Sequence, residues 1–196
     1  MNFVVLSSSR GTTFQAVIDR IADGTLTAKC AGLVTDRADR GCADKARAAG
    51  IPVMVVEREK GEDREAYNQR LDAAIRSFGR VDVIAALGWM WILTPWFVHV
   101  WKGRIINVHP ALLPKFPGAH GIEDAMAAGE TETGMTIHII DEGVDTGPIL
   151  VQKSCSISRD DTIDSLKERI QELEKEWYPK VLQMLEEGEI AVPYET

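Results

Sequence analysis

The chain has 196 residues, of which 45% are hydrophobic and 27% charged, and its formal net charge at pH 7 is −8. This composition is typical of a packed globular protein, and its acidity argues against a broad DNA or RNA surface, which needs clustered Lys and Arg. The apolar run Val81–Leu87 ends at Gly88 and is too short for a membrane span of about 18 residues or more. A small anionic substrate remains compatible with the charge, because a few backbone N–H groups can hold one phosphate.

The N-terminal residues and the cysteines indicate a cytoplasmic location. Met1–Leu6 lacks a basic region and a small-residue cleavage site, so we expect a first strand there and no signal peptide. Cys30, Cys42 and Cys155 are scattered, which predicts reduced thiols. Neither the cysteines nor the histidines have the spacing of metal ligands, and we expect no metal.

The first half of the chain alternates apolar runs with amphipathic stretches. We predict strands at Phe3–Leu6, Ala31–Thr35, Ile51–Val56, Val81–Leu87 and Arg104–His109. We predict helices over residues 12–22, 42–49 and 63–78. This alternation predicts an α/β fold, an open and mostly parallel twisted sheet with helices on both faces.

The pattern changes after Pro110. We predict a short helix over residues 121–128, an antiparallel strand pair at Met135–Ile140 and Pro148–Ser156, and a long C-terminal helix that ends near Glu187. No repeat or linker interrupts the chain, so residues 1–196 are expected to form a single domain. Residues 1–100 would be the phosphate-binding half, and residues 101–196 the half that carries catalysis and a second ligand. An active site would lie at the carboxyl ends of the strands.

The first strand-to-helix turn is a candidate phosphate site. It reads SSSRGTT from Ser7 to Thr13, and free N–H groups at a helix start, one glycine and several hydroxyls suit a phosphate. The turn is neither a dinucleotide fingerprint nor a Walker loop, which disfavours a nucleoside triphosphate. The alternative is a plain capping turn with Thr12 or Thr13 as N-cap.

Asn107 and His109 are the candidate catalytic pair. Residues i and i+2 of a strand point to one face, so these two side chains project together at the end of a strand that Pro110 terminates. An amide and an imidazole there can polarise a carbonyl and move a proton. The alternative is a buried, hydrogen-bonded pair with a purely structural role.

Asp145 lies in a loop rich in acidic residues and glycine. A carboxylate next to an imidazole would favour the protonated ring and fix its orientation, whereas an isolated Asp145 would only form an Asx turn. For His138, which alternates with Ile137 and Ile139, we expect structural packing. The aromatic run Trp89–Val98 would hold a flat ring or form the edge of the core.

The chain resembles the phosphoribosylglycinamide formyltransferase (glycinamide ribonucleotide transformylase) family over nearly its whole length, and these residues lie in the matching stretches. The most specific stretch is INVHPALLPKFPG at residues 106–118. The others are DEGVDTGPIL at 141–150, LGWM at 87–90, REAY at 64–67 and EKEWYP at 174–179. The resemblance implies the Rossmann-like formyltransferase fold and transfer of a formyl group from 10-formyltetrahydrofolate to the amine of glycinamide ribonucleotide in purine synthesis.

The resemblance also implies residue roles. Asn107 would hold the formyl oxygen and His109 would donate a proton, with Asp145 sustaining its protonated form. Gly11, Thr12 and Thr13 would bind the substrate phosphate, and Glu174 the ribose. The folate would contact Arg64, Met90, Trp91, Ile92, Leu93, Val98, Asn107 and the loop that begins at Asp141. The protein would bind small molecules (glycinamide ribonucleotide and a reduced folate) and would bind neither nucleic acid nor a membrane. A homodimer is a possible oligomeric state.

Two departures from the family pattern concern the acceptor more than the folate. The family's first turn usually reads SGNGSN, and here an arginine, Arg10, stands where a small amide is usual; Trp91 stands where an arginine is common. Three alternatives follow: a related formyltransferase with another amine acceptor, a formyltetrahydrofolate hydrolase, or a non-catalytic folate- or nucleotide-binding module.

Overall fold

The computed structural model describes residues 1–191, which form one seven-stranded sheet and six helices. The strands are β1 Asn2–Ser7, β2 Lys29–Thr35, β3 Val53–Val55, β4 Val83–Ala86, β5 Ile105–His109, β6 Glu132–Ile139 and β7 Ile149–Ser156. The helices are α1 Thr12–Ala22, α2 Gly41–Ala48, α3 Arg64–Arg76, α4 Pro95–Val100, α5 Gly121–Ala127 and α6 Ile163–Glu186.

The sheet order is β3-β2-β1-β4-β5-β6-β7. The first five strands in this order pair in parallel, and β6 is antiparallel to both β5 and β7. The predicted mostly parallel sheet with an antiparallel pair and a long C-terminal helix is therefore confirmed. Within the described part of the chain, no helix is long and apolar enough to cross a bilayer.

Helices cover both faces of the sheet because the central strands are apolar on both sides. On β1, Phe3 and Val5 pack into a cluster with residues of α1 and α6, while Val4 and Leu6 pack into a second cluster on the opposite face with α3 and α4. Successive side chains of a strand point to opposite faces, so one apolar run supplies both clusters. This two-sided burial holds the carboxyl ends of β1, β4 and β5 side by side.

Helix α4 was not predicted from the sequence. Thr94 caps it by accepting a hydrogen bond from the N–H of Phe97 at 3.3 Å, and Pro95 occupies its first turn. Its six residues are too few for a visible helical periodicity, and Trp, Phe and two valines among them are aromatic or β-branched. Phe97 is buried in the core, whereas Trp96 is partly exposed.

Candidate active site

The candidate site lies where the strand order reverses between β1 and β4. The turn that follows β1 is joined to the end of β4: Ser8 N–H donates to the carbonyl of Gly88 at 3.1 Å, and Ser7 Oγ donates to the carbonyl of Leu87 at 2.6 Å. Crevices at such switch points are the usual ligand sites of open α/β sheets. Next to β4 lies β5, whose last residue is His109.

His109 is buried between two acceptor groups. Its Nε2 lies 2.7 Å from the carbonyl oxygen of Phe116, and its Nδ1 lies 3.3 Å from Oδ2 of Asp145. Carbonyl and carboxylate oxygens only accept hydrogen bonds, so both contacts are favourable together only when both ring nitrogens carry protons. The structure therefore surrounds His109 with partners for an imidazolium, and it brings Asp145 within reach of the ring.

Asp145 is held in a defined geometry by its own loop. Its backbone lies in the left-handed region with φ 54°, and its Oδ2 accepts a hydrogen bond of 2.8 Å from the N–H of Gly118. Burial disfavours the carboxylate, but contacts with His138, Gly118 and His109 outweigh burial and hold the pKa of Asp145 below its usual value. Asp145 is therefore a carboxylate at neutral pH, facing the His109 ring.

His138 links Asn107 to Asp145, which the sequence reasoning missed. Its Nε2 lies 3.2 Å from Nδ2 of Asn107 and 3.4 Å from Oδ1 of Asp145. When Nε2 carries no hydrogen it accepts a hydrogen bond from the Asn107 amide, and when it is protonated it donates to Asp145. His138 therefore orients Asn107 in the first form and Asp145 in the second. The strand register would have indicated this contact, because Asn107 lies directly opposite His138 on the antiparallel pair β5–β6.

The turn after β1 presents the start of α1. The N-cap of α1 is Gly11, with φ 74° and no side-chain capping bond, so neither Thr12 nor Thr13 is the N-cap. A Cβ at Gly11 would come 2.8 Å from Cα of Cys42, which explains why glycine is needed at this close approach. The first N–H groups of α1 therefore have no capping side chain and suit an anion.

Glu174 on α6 joins this turn. Its Oε2 accepts a hydrogen bond of 3.0 Å from Oγ1 of Thr13. Burial raises the pKa of Glu174 to about 7, and the Thr13 bond and the charge of Lys167 only partly oppose that rise. A carboxyl group close to its midpoint at neutral pH thus lies beside the candidate phosphate turn.

Replacing Glu174 with glutamine is expected to flatten the pH dependence of stability. The unfolded glutamate titrates near 4.5 and the folded one near 7. The contribution of Glu174 to the free energy of unfolding is therefore highest below pH 4.5, falls up to pH 7 and then levels, with a total change of about 3 kcal/mol. Urea unfolding at pH 5, 6, 7 and 8 measures the free energy of unfolding of both proteins.

The control Glu172→Gln, at an exposed residue of α6 paired with Lys175, should keep the wild-type dependence of stability on pH. Parallel profiles for wild type and Glu174→Gln would contradict the assignment.

The predicted folate segment divides into an exposed and a buried part. The side chains of Met90 and Ile92 are 73% and 68% exposed, and with Trp91 and Arg64 they line one cavity of about 230 Å³. Exposed apolar side chains beside an arginine suit a flat ring with an anionic end.

The other predicted folate residues lie apart from that cavity. Leu93 packs on the second core cluster, and Val98 on α4 is buried with 6% exposure. Asp141 organises its loop by accepting hydrogen bonds from Thr146 Oγ1 at 2.7 Å and from the N–H of Gly143 at 3.0 Å. In residues 1–191, no group of three or more His, Cys, Asp or Glu side chains is arranged to hold a metal ion.

Comparison with known proteins identifies the family. The model of the formyl transferase family matches residues 1–182. The chain is 36% identical over 183 residues to phosphoribosylglycinamide formyltransferase of Bacillus subtilis (strain 168), covering 93% of both chains. It is also 41% identical to the trifunctional purine biosynthetic protein adenosine-3 of Drosophila pseudoobscura pseudoobscura, covering 94% of this chain but 14% of that protein.

Solved structures agree with this assignment. Glycinamide ribonucleotide transformylase 1 from Symbiobacterium toebii superposes with a TM-score of 0.93 at 31% identity, covering 97% of this chain and 90% of that one. Phosphoribosylglycinamide formyltransferase from Bacillus halodurans superposes with a TM-score of 0.91 at 33% identity, covering both chains fully. With its sheet order, its site at the switch point and these relatives, the chain belongs to the formyl transferase family, among the phosphoribosylglycinamide formyltransferases.

Proposed function

We propose that this chain is an enzyme that transfers the formyl group of 10-formyltetrahydrofolate to the amine of glycinamide ribonucleotide in de novo purine synthesis. The convergence of Asn107, His109 and Asp145 at β5, on the same sheet as the turn that follows β1, carries the proposal. The names of the similar proteins support it, and formyltransferases of this family use formyl-tetrahydrofolate as co-substrate. The reaction would take place in the cytoplasm and would need no metal.

Asn107 and His109 would stabilise the charge that develops during transfer. Attack of the amine on the formyl carbon converts the carbonyl oxygen to an oxyanion, which needs donors already in place. The Asn107 amide has one N–H toward His138 and a second available for the oxyanion. The imidazolium of His109, balanced by the Asp145 carboxylate, would supply positive charge on the same face of the sheet.

Proton transfer would use the same histidine. In the structure the Nε2–H of His109 is bonded to the Phe116 carbonyl, so it must exchange that partner for substrate before it can donate. The proton lost by the amine would reach the folate nitrogen through His109 or through an ordered water near Asp145. Asp145 would remain ionised throughout, because its depressed pKa keeps it a carboxylate at neutral pH.

The two substrates would bind on either side of these residues. The N–H groups of Gly11, Thr12 and Thr13 would hold the acceptor phosphate, with Glu174 reaching the ribose. The Gly11 N–H donates to Ser9 Oγ at 3.1 Å in the structure and would exchange that acceptor for the phosphate. Arg64 and the exposed segment from Met90 to Ile92 would contact the folate. Next to this segment in the sequence, Nε1 of Trp89 is buried and has no hydrogen-bond partner among residues 1–191, so it is a donor that a polar ring could use. In this proposal the N-terminal half binds phosphate, while the C-terminal half supplies the catalytic groups.

An acceptor panel tests the proposal directly. The purified chain is incubated with 10-formyltetrahydrofolate and, separately, glycinamide ribonucleotide, free amino acids, amino sugars or no amine. Release of tetrahydrofolate is followed by absorbance, and the formylated product by mass spectrometry. We expect product with glycinamide ribonucleotide. Product with another amine alone would identify that amine as the acceptor, and the unusual Arg10 in the phosphate turn is a reason to test for it. Release of tetrahydrofolate without any amine would indicate a hydrolase. No release of tetrahydrofolate would indicate a binding module.

A further inference from the structure

Three polar side chains form one row across the antiparallel part of the sheet. His109 on β5 lies directly opposite Thr136 on β6, which in turn lies directly opposite Gln152 on β7. Directly paired residues of neighbouring strands project to the same face of a sheet. His109 and Thr136 are buried, whereas Gln152 belongs to the edge strand and is exposed. We call these three residues the cross-strand row.

The loop after β5, residues 110–118, is hydrogen-bonded to the middle of the cross-strand row. Thr136 Oγ1 donates to the carbonyl of Ala111 at 2.7 Å and accepts a hydrogen bond of 3.1 Å from the N–H of Leu113. The loop belongs to no helix or strand, so its buried backbone groups need partners outside regular secondary structure. One hydroxyl supplies two of those partners and fixes the beginning of the loop.

Gln152 ties the same loop to the edge strand. Its Nε2 donates to the carbonyl of Leu113 at 2.7 Å and to Oγ1 of Thr136 at 2.9 Å. A carboxamide nitrogen carries two N–H groups, so both bonds form together. The Thr136 hydroxyl then donates one hydrogen bond and accepts two, which is its full capacity. Gln152 therefore fixes Leu113 directly and orients the hydroxyl that holds Ala111.

The other end of this loop supplies the hydrogen-bond partners around His109. Three residues beyond Leu113, the carbonyl of Phe116 lies 2.7 Å from Nε2 of His109. The N–H of Gly118 donates at 2.8 Å to the Asp145 carboxylate, which faces the other ring nitrogen. Phe116 has a left-handed backbone with φ 55°, which a phenylalanine adopts only where the surrounding structure imposes it. The orientation of the His109 ring therefore depends on where the loop after β5 is held.

We propose that Gln152 is a positioning residue for formyl transfer: it holds the loop after β5, and the loop holds the His109 ring and the Asp145 carboxylate in place. The inference rests on the proposed function, because the same histidine carries the reaction. His109 has to exchange the Phe116 carbonyl for substrate, and a loop fixed at Leu113 keeps the ring aligned during that exchange. Both donors of Gln152 are occupied within the protein, so its loss should affect the rate of transfer and not substrate affinity.

Steady-state kinetics on three substitutions at this position test the inference. Gln152→Ala is expected to lower kcat about fivefold to tenfold, the fold-change that corresponds to one hydrogen bond of ordinary net strength, with KM for both substrates nearly unchanged. Gln152→Glu keeps the shape but has only acceptors at neutral pH, so it should lose as much. Gln152→Lys restores a donor and should recover most of the rate. The control Ser154→Ala, at an exposed residue on the same face of β7, should keep the wild-type kcat.

Nuclear magnetic resonance of the His109 ring gives a readout that does not depend on activity. In protein with isotopically labelled histidine, the Nε2–H signal is assigned from its absence in His109→Gln, and its exchange with water is measured. In Gln152→Ala this proton should exchange about tenfold faster than in the wild type, because the loop that covers it opens more often. Ser154→Ala should keep the wild-type exchange rate, and circular dichroism verifies that each variant is folded.

The two readouts separate this inference from the proposed function. Unchanged exchange in Gln152→Ala, a kcat within about twofold of the wild type, or a rise in KM as the main effect would overturn the inference and leave the proposed function standing. Faster exchange in a protein that does not formylate glycinamide ribonucleotide would reject the proposed acceptor and keep the link from Gln152 to His109.

Discussion

Replacing Asp145 with asparagine is expected to lower turnover by about 10²–10⁴-fold, the usual contribution of a positioned proton-transfer system. The variant removes the negative charge that faces Nδ1 of His109 at 3.3 Å and so destabilises the imidazolium form. Asparagine tolerates the left-handed backbone at this position, where φ is 54°, and its amide oxygen can still accept from Gly118. The loss of turnover would therefore come from the missing negative charge, because the conformation of the loop should change little.

Steady-state kinetics across pH, together with thermal unfolding, measure this effect. The melting temperature of Asp145→Asn should stay close to that of the wild type, whereas Asp145→Ala should lose stability because alanine is strained at positive φ. Asp39→Asn, at an exposed loop residue paired with Arg37, is the control and should retain full turnover. Turnover of Asp145→Asn within about threefold of the wild type would rule out a catalytic role for the carboxylate, on the scale of that contribution.

The second large effect is expected at Asn107. Asn107→Ala removes the N–H that we propose as a donor to the oxyanion, and loss of one such donor typically costs about 10²–10³-fold in turnover. The donor acts mainly on the developing charge, so kcat and kcat/KM should fall together while KM changes little. The side chain is only half-buried, and alanine keeps the backbone groups of β5 that pair with β4 and β6, so the sheet should keep its pairing.

Single-turnover kinetics with both substrates saturating separate the chemical step from binding. Gln69→Ala, at an exposed residue of α3, is a matched amide deletion away from the site and should leave the rate unchanged. A rise in KM with an unchanged rate of transfer would assign Asn107 to ground-state binding instead. A wild-type rate would remove it from the site altogether.

The sheet was predictable because its signals are local. The apolar runs that became β1, β2 and β4 alternate with amphipathic helices, and burial on both faces needs such runs. The projection of Asn107 and His109 to one face follows from the two-residue period of a strand. Helix α4 was not predicted because it has only six residues. With Trp96 and Phe97 among them, the segment shows too little periodicity to distinguish a helix from the edge of the core.

The sequence by itself determined the fold class, the family resemblance and the candidate residue types Asn107, His109 and Asp145. Only the tertiary structure decided that Asp145 reaches the His109 ring, because that distance depends on the path of the loop after β6 and on the left-handed backbone of Asp145 itself. It likewise decided that His138 links two candidate residues, since cross-strand neighbours depend on register. The anchoring of Trp91 on Asp36 depends on the packing of two separate strand ends, which periodicity and composition do not encode.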